Sequence, residues 1–350
     1  MDVRNSASVV VALALFASVG ATASAEAQAT ARNGEGYTAP RTEYGHPDLQ
    51  GNWSNATLTP LERPEGQGPT LTPSQVAQLE GDLQARFEED LLPSDPDRPA
   101  PPVGGDGSTG AAGGVGGYNR VYIDPGERVA VIDGEYRASL ITNPPNGRIP
   151  EITAEGRQRM LEERQARGSF GQYDNPENRP LGERCIISFG SNAGPPMLPN
   201  GFYNNNYTIV QNEDHVLILS EMVHDARIIR LHDGEQLPGD LRPWFGDSWG
   251  HWEGETLVVE TTNVNPQQRF RGVGSDRMRV VERFTRVQDD QILYEFTVHD
   301  PSYPQPWGGE VPMNRLDDLL YEYACHEANY ALFNVLSGAR AEERRETDQQ

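Results

Sequence analysis

Between Tyr207 and Ala324 one pattern recurs: short runs of β-branched and aromatic residues, separated by turn-forming residues. Runs of this length and composition read as β-strands. They cover Tyr207–Gln211, His215–Met222, Ala226–Leu231, Thr256–Asn263, Arg279–Val287, Gln291–His299, Glu310–Met313 and Leu319–Ala324. The clearest pair is Glu282–Val287 and Ile292–Val298, joined by Gln288-Asp-Asp-Gln291 as a hairpin. Successive short antiparallel strands predict a meander, and closing it into a barrel disposes of exposed edges. The expected fold is therefore mainly β: an antiparallel meander closing into a barrel-like, lipocalin-like domain over residues 118–350, with N-terminal loops and two or three peripheral helices.

The flanking segments fit that plan. Thr72-Pro-Ser-Gln75 carries a capping box and proline at the first helical position, which predicts a helix to about Leu92. Pro93–Gly117 is dominated by proline, glycine and small residues and reads as a linker, so residues 26–117 form a loop-rich N-terminal segment with one helix. Tyr118–Ile123 and Arg128–Ile132 flank Asp-Pro-Gly126 as a hairpin. Thr153–Arg167 reads as a charged helix stopped by Gly168, and Glu327–Glu346 as a helix packed on the barrel with a frayed tail.

The first residues read as an export signal. Arg4 precedes the apolar run Val9–Val19, and Ala21-Thr-Ala23 and Ala23-Ser-Ala25 are small-residue cleavage patterns, which predicts a signal peptide over residues 1–25 and a periplasmic or secreted product. No later segment approaches the roughly 18 apolar residues of a membrane span. With 29 basic against 52 acidic residues the net charge is −23, which repels nucleic acid and anionic lipid. In an oxidising compartment two cysteines, Cys185 and Cys325, favour a disulfide, and closing a loop of that size contributes about 4 to 5 kcal/mol in the chain-entropy model. The alternative is a free Cys325 beside His326.

Three blocks carry a resemblance: Gly246–Asn263 (GDSWGHWEGETLVVETTN), Arg279–Arg286 (RVVERFTR) and Leu320–Glu327 (LYEYACHE). Together they resemble a family of uncharacterised secreted bacterial proteins over roughly residues 183–343, and the resemblance implies no reaction, so function is read from residue chemistry.

Gly246-Asp-Ser-Trp-Gly250 fits the nucleophile pattern G-x-S-x-G, but a proline-rich loop precedes it and a strand follows, whereas a nucleophile elbow needs a strand before and a helix after. Asp247 and Ser248 are expected to bond turn backbone instead. The seven histidines (46, 215, 224, 232, 251, 299 and 326) include no H-E-x-x-H pair, so a metal is possible but not favoured. No glycine-rich phosphate loop precedes a helix, so no nucleotide cofactor is expected. His224-Asp225 interrupts two apolar runs where a hairpin usually shows Gly or Asn. It reads either as a base with its orienting carboxylate at the barrel mouth or as a turn cap beside a half-buried histidine. Glu322 shares a strand face with Leu320 and Ala324 and should find a partner, Arg283 or a histidine, as an interior ion pair or a catalytic acid. His326 is the other candidate for proton transfer. Tyr203, Asn205, Trp244, Trp252 and Trp307 lie in loops that would wall a pocket at one barrel end or simply cap it.

The leading expectation is an exported enzyme using general acid-base chemistry on a small organic or carbohydrate-derived substrate, as a lyase, hydratase, isomerase or hydrolase. Its base would be His224, oriented by Asp225. The alternatives are a periplasmic binding protein for an apolar or aromatic molecule and an envelope structural or assembly factor. The first differs in needing Trp244 and Trp252 rather than His224.

Overall fold

The computed structural model describes residues 37–90, 92, 97, 123–166, 170–188, 192–201, 204–231, 235–268, 274–327 and 329–349. The signal peptide, most of the linker, and Tyr118–Tyr122, Tyr203 and His232 lie outside the described residues.

Among the described residues twelve strands occur: β1 (Gly51–Ser54), β2 (Val131–Ile132), β3 (Glu135–Tyr136), β4 (Ile141–Asn143), β5 (Asn206–Gln211), β6 (His215–Ser220), β7 (Asp225–Arg230), β8 (Asp247–Glu253), β9 (Thr256–Thr262), β10 (Arg279–Gln288), β11 (Gln291–His299) and β12 (Trp307–Arg315). Ten of them form one sheet in the order β1-β5-β6-β7-β8-β9-β10-β11-β12-β4, and a further β1–β12 pairing closes nine of the ten into a barrel. Strand β4 and strand β1 share the outer edge of β12, at Gly308–Gly309 and at Asn314–Arg315 respectively. The backbones there approach so closely that a Cβ at Gly309 would meet the Leu140 carbonyl at 2.1 Å. The helices α1 (Pro73–Asp90), α2 (Ala154–Ala166) and α3 (Tyr330–Asp348) lie outside the ring. No helix among the described residues is long and apolar enough to cross a membrane.

Alternation builds the interior. On each stave every second residue points inward, and these residues form a continuous core that includes Trp53, Tyr207, Ile218, Ile229, Val259, Phe284, Tyr294, Phe296, Trp307 and Val311. The barrel is thus filled by side chains. Both ends are closed by chain. At one end Gln211 accepts from Leu49 N (2.6 Å) and donates to Pro47 O (3.1 Å), while Arg286 Nη1 donates to Asp48 O (2.8 Å). The opposite end is stopped by Met197 and Leu198, and Met197 N donates to the Tyr294 hydroxyl at 2.9 Å.

Nine staves cannot all alternate in direction around a closed ring, so at least one neighbouring pair is parallel. That pair is β7–β8, with only Ile229↔Ser248 and Arg230↔Trp249 in register. Segment 231–246 returns along the barrel between them, as a parallel connection requires. Beside this short seam Arg227 reaches across the interior to Glu282 on β10, with Nη1–Oε1 at 3.1 Å and Nη2–Oε2 at 2.5 Å, both side chains buried. Tyr294 donates to the same carboxylate at 2.9 Å. Burial first, and then the Glu282 charge, hold its phenol well above the usual range.

Several expectations need correction. Leu319–Ala324 is irregular and not a strand. Asp247–Glu253, read as loop and turn, is stave β8. Within Arg128–Ile132, Val131–Ile132 pairs across Asp133-Gly134 with Glu135–Tyr136, and the other arm of the expected hairpin, Tyr118–Tyr122, lies outside the described residues. Stave β1 comes from the N-terminal segment, so the barrel does not begin at residue 118. The final helix has no buried residue, and Tyr330 and Phe333 stay exposed rather than packing on the barrel. The capping box does form: Gln75 N donates to Thr72 Oγ1 (3.3 Å) and Thr72 N to Gln75 Oε1 (2.9 Å).

Replacing Glu282 by Gln leaves a buried, uncompensated Arg227 and is expected to cost on the order of 3–5 kcal/mol, read as a lowered urea midpoint at unchanged slope. Combining Arg227→Met with Glu282→Leu should cost much less than either single change. Unaltered stability of Glu282→Gln would show that the ion pair does not brace the seam.

Candidate functional site

The β6–β7 connection lies at the barrel end closed by Met197. Its turn runs from Glu221 to His224: His224 N donates to Glu221 O at 2.9 Å and Ser220 Oγ to Met222 O at 3.0 Å. Met222 and Val223 turn inward against Cys185, with Tyr323 and Cys325 packed on them. His224 takes the left-handed conformation, φ +65°, that a hairpin usually assigns to Gly or Asn. The imidazole is thereby placed outside, exposed to solvent.

Its Nδ1 lies 3.0 Å from the carbonyl oxygen of Tyr323. A carbonyl only accepts, so Nδ1 carries the proton, and in the neutral imidazole Nε2 keeps its lone pair. The carbonyl is brought there from the far end of the sequence by the Cys185–Cys325 disulfide, which joins positions 140 apart, with Cα atoms 5.6 Å from each other. The expected disulfide is therefore present, and no thiol is left beside His326.

Asp225 does not orient His224, contrary to the sequence expectation. It begins β7, half-buried, and its Oδ2 is buried without a hydrogen-bond partner. Burial raises its pKa above the ordinary carboxylate value, partly opposed by the neighbouring imidazole. Next to it, Glu221 is buried and accepts from Asn206 Nδ2 at 2.9 Å. The turn therefore presents an imidazole lone pair and, one residue on, a carboxyl biased toward its protonated form.

The other candidates fall in several places. Glu322 and His326 flank Tyr323 and Cys325 in the same terminal segment, and both are exposed. Glu322 makes no interior ion pair, because Arg283 is taken by Glu253 at 2.9 Å on the barrel's outer face. Asn205 is wholly buried and spent on loop backbone: its Oδ1 accepts from Asn200 N, and its Nδ2 donates to Asn200 O and Asp124 O. Trp307 is buried in the core, edge-on to Phe296 and Tyr303. Trp252 sits at the opposite barrel end, where His46 stacks on it with ring centroids 5.4 Å apart. Trp244 is half-buried in segment 231–246, beside the turn in which Gly246 N bonds Pro243 O. The four of these candidates that are described, Asn205, Trp244, Trp252 and Trp307, thus do not assemble into one pocket.

Ser248 is buried on β8 and shares a hydrogen bond of 2.8 Å with Thr261 Oγ1 across the β8–β9 ladder. Its neighbours are not an elbow, and its partner is not a base. Asp247 bonds Leu237 N at 2.7 Å and pairs with Arg230, which pins the returning loop. Among the described residues no three His, Cys, Asp or Glu side chains gather as a metal ligand set.

Two features were missed from sequence: the Tyr323 carbonyl and the raised, unpartnered carboxyl of Asp225. The disulfide was the available signal for the first, since it draws the residues before Cys325 to the turn that Cys185 packs against. No family model matches the chain, and neither a curated protein nor a solved structure does.

Proposed function

We propose that the chain is an exported enzyme that performs general acid-base chemistry on a small, uncharged organic or carbohydrate-derived substrate at the rim of the barrel end closed by Met197. The observation that carries this reading is the exposed imidazole of His224, fixed through Nδ1 on the Tyr323 carbonyl with Nε2 open to solvent. A base needs its lone pair presented in a fixed tautomer. Asp225, held toward its protonated form by burial, is the nearest acid. Glu322 and His326 are the second groups available for proton transfer from the facing segment. An arrangement of one base and one acid with separated environments suits elimination, hydration, isomerisation or hydrolysis. The net charge of −23 disfavours an anionic substrate.

A carrier is supported less well, because the interior is occupied by Trp53, Phe284, Tyr294 and their neighbours. The assembly-factor reading draws on Leu319, Tyr321, Tyr330 and Phe333, large apolar side chains exposed along the terminal segment.

The test is turnover. The variant His224→Asn keeps a side chain that tolerates the left-handed backbone, so thermal unfolding should match wild type while turnover over a panel of neutral hydroxy, lactone and glycoside substrates falls by about 10²- to 10⁴-fold. Equal turnover in the variant sinks the proposal. A carrier would instead retain ligand in this variant.

Asp225 gives a second expectation. Its raised folded-state pKa favours the folded protein while the carboxyl is protonated, an advantage lost as pH rises through that pKa. Relative to wild type, Asp225→Asn should therefore gain stability as pH rises above the ordinary aspartate value of about 4, followed by urea midpoints across the range. A constant difference would show that the carboxyl is not perturbed.

A further inference from the structure

We infer that the Cys185–Cys325 disulfide is a redox-sensitive tether that sets the tautomer of His224, so that a dithiol reductant releases the imidazole. The inference rests on the acid-base reading of the same site and adds its regulation.

The path of the terminal segment carries the argument. After β12, Leu316 N donates to Asn52 O and Asn52 Nδ2 to Asp318 O, both at 2.9 Å, so the chain leaves along β1. Beyond Asp318 it has no strand ladder, and Leu319 and Tyr321 are more than four-fifths exposed. Tyr323 packs on Met222 and Val223, and two residues later Cys325 is covalently fixed to Cys185. The next attachments go to the segment that leads into Cys185 and not to the barrel: Asn329 Nδ2 donates to Glu183 O (2.9 Å) and Cys185 Sγ (3.3 Å), and Arg340 donates to Tyr173 O (2.9 Å). Helix α3 has no buried residue that would hold the segment in the absence of these.

The Tyr323 carbonyl therefore stays against His224 Nδ1 because a covalent bond two residues away holds its strip of chain to the turn. The sulfurs differ in access: Cys185 is buried, whereas Cys325 is half-buried. A dithiol attacks Sγ of Cys325 as a thiolate, forming a mixed disulfide and expelling Cys185 as a thiolate that takes up a proton. Its second thiol then displaces Cys325, which is protonated in turn. The protein disulfide gains two electrons and two protons, and the dithiol becomes a disulfide. The freed segment 319–329 loses its fixed register, the carbonyl leaves Nδ1, and the imidazole distributes its proton between both nitrogens.

The experiment is a long-range proton–nitrogen correlation on full-length folded protein labelled with nitrogen-15 at histidine and tryptophan, recorded oxidised, after dithiothreitol, and in Cys325→Ser. The Trp53 indole N–H, which donates to Leu49 O at the far end of the barrel, reports that the barrel still stands. The inference expects a single Nδ1–H tautomer for His224 in the oxidised protein. Reduction and Cys325→Ser should both replace it by a mixture, with the Trp53 signal in place. It is overturned by a tautomer unchanged on reduction, by a mixture already present in the oxidised protein, or by loss of the Trp53 signal on reduction, which would make the bridge a support of the whole fold. A tautomer that switches in a protein whose turnover ignores His224→Asn would keep this inference and remove the enzyme reading.

Discussion

An odd number of staves governs this molecule. Nine strands close the ring, so one seam must run parallel, and the chain assigns it to β7 and β8. A parallel seam needs a long return connection, and the residues spent on segment 231–246 leave only two register pairs to hold the edges together. The seam is braced from both faces instead. Inside, Arg227 spans to Glu282. Outside, Arg230 pairs with Asp247, and its guanidinium lies 4.0 Å from the centroid of the Trp249 ring. Asp247 also receives Leu237 N, so the returning loop is fixed by the residue that begins the next stave. The buried ion pair is costly to desolvate, and it is tolerable here because Glu282 is bound at both oxygens and also by Tyr294.

Filling the interior has a functional consequence. With Trp53, Tyr207, Phe284, Tyr294 and Trp307 in one packed core, the interior is filled, and the proposed reading therefore places its chemistry at a barrel end. The two ends are not equivalent. One is closed by backbone of residues 47–49, where Gln211 answers the Pro47 carbonyl and the Leu49 N–H and Arg286 the Asp48 carbonyl. The other carries the β6–β7 turn, in which apolar Met222 and Val223 take the buried positions and push His224 outward in a left-handed conformation. The same turn that packs on Cys185 therefore presents the imidazole.

Most of the barrel was legible because its staves alternate cleanly between core and solvent, as in β6, β10 and β11. Strand β8 was not, since Gly250 faces inward without a side chain and the outward positions are His251 and Glu253, so its alternation reads as a turn. Strand β1 has one large inward residue, Trp53, in four, which is too short a run to show a period. Leu319–Ala324 misled in the opposite sense. It has an alternating pattern but no edge to join, because the outer edge of β12 is already occupied by β4 and β1. Strand formation is settled by an available neighbour, and a closed ring offers none.

The candidate site shows the same limit at smaller scale. The break between two apolar runs marked the turn that carries His224, but adjacency suggested Asp225 as its partner, and the turn separates the two: His224 faces solvent while Asp225 enters β7 half-buried. The actual partner is a backbone carbonyl 99 positions away, which carries no side-chain signature and is delivered by a disulfide. In the proposed reading this exchange has chemical value. A carboxylate on Nδ1 would add charge beside the imidazole, whereas a carbonyl fixes the tautomer and leaves the charge balance alone. Asp225, freed from that duty and held in a poorly solvated position, keeps its proton more readily than an exposed aspartate. One turn can then offer an imidazole held in one tautomer beside a carboxyl whose burial outweighs the opposing pull of that imidazole.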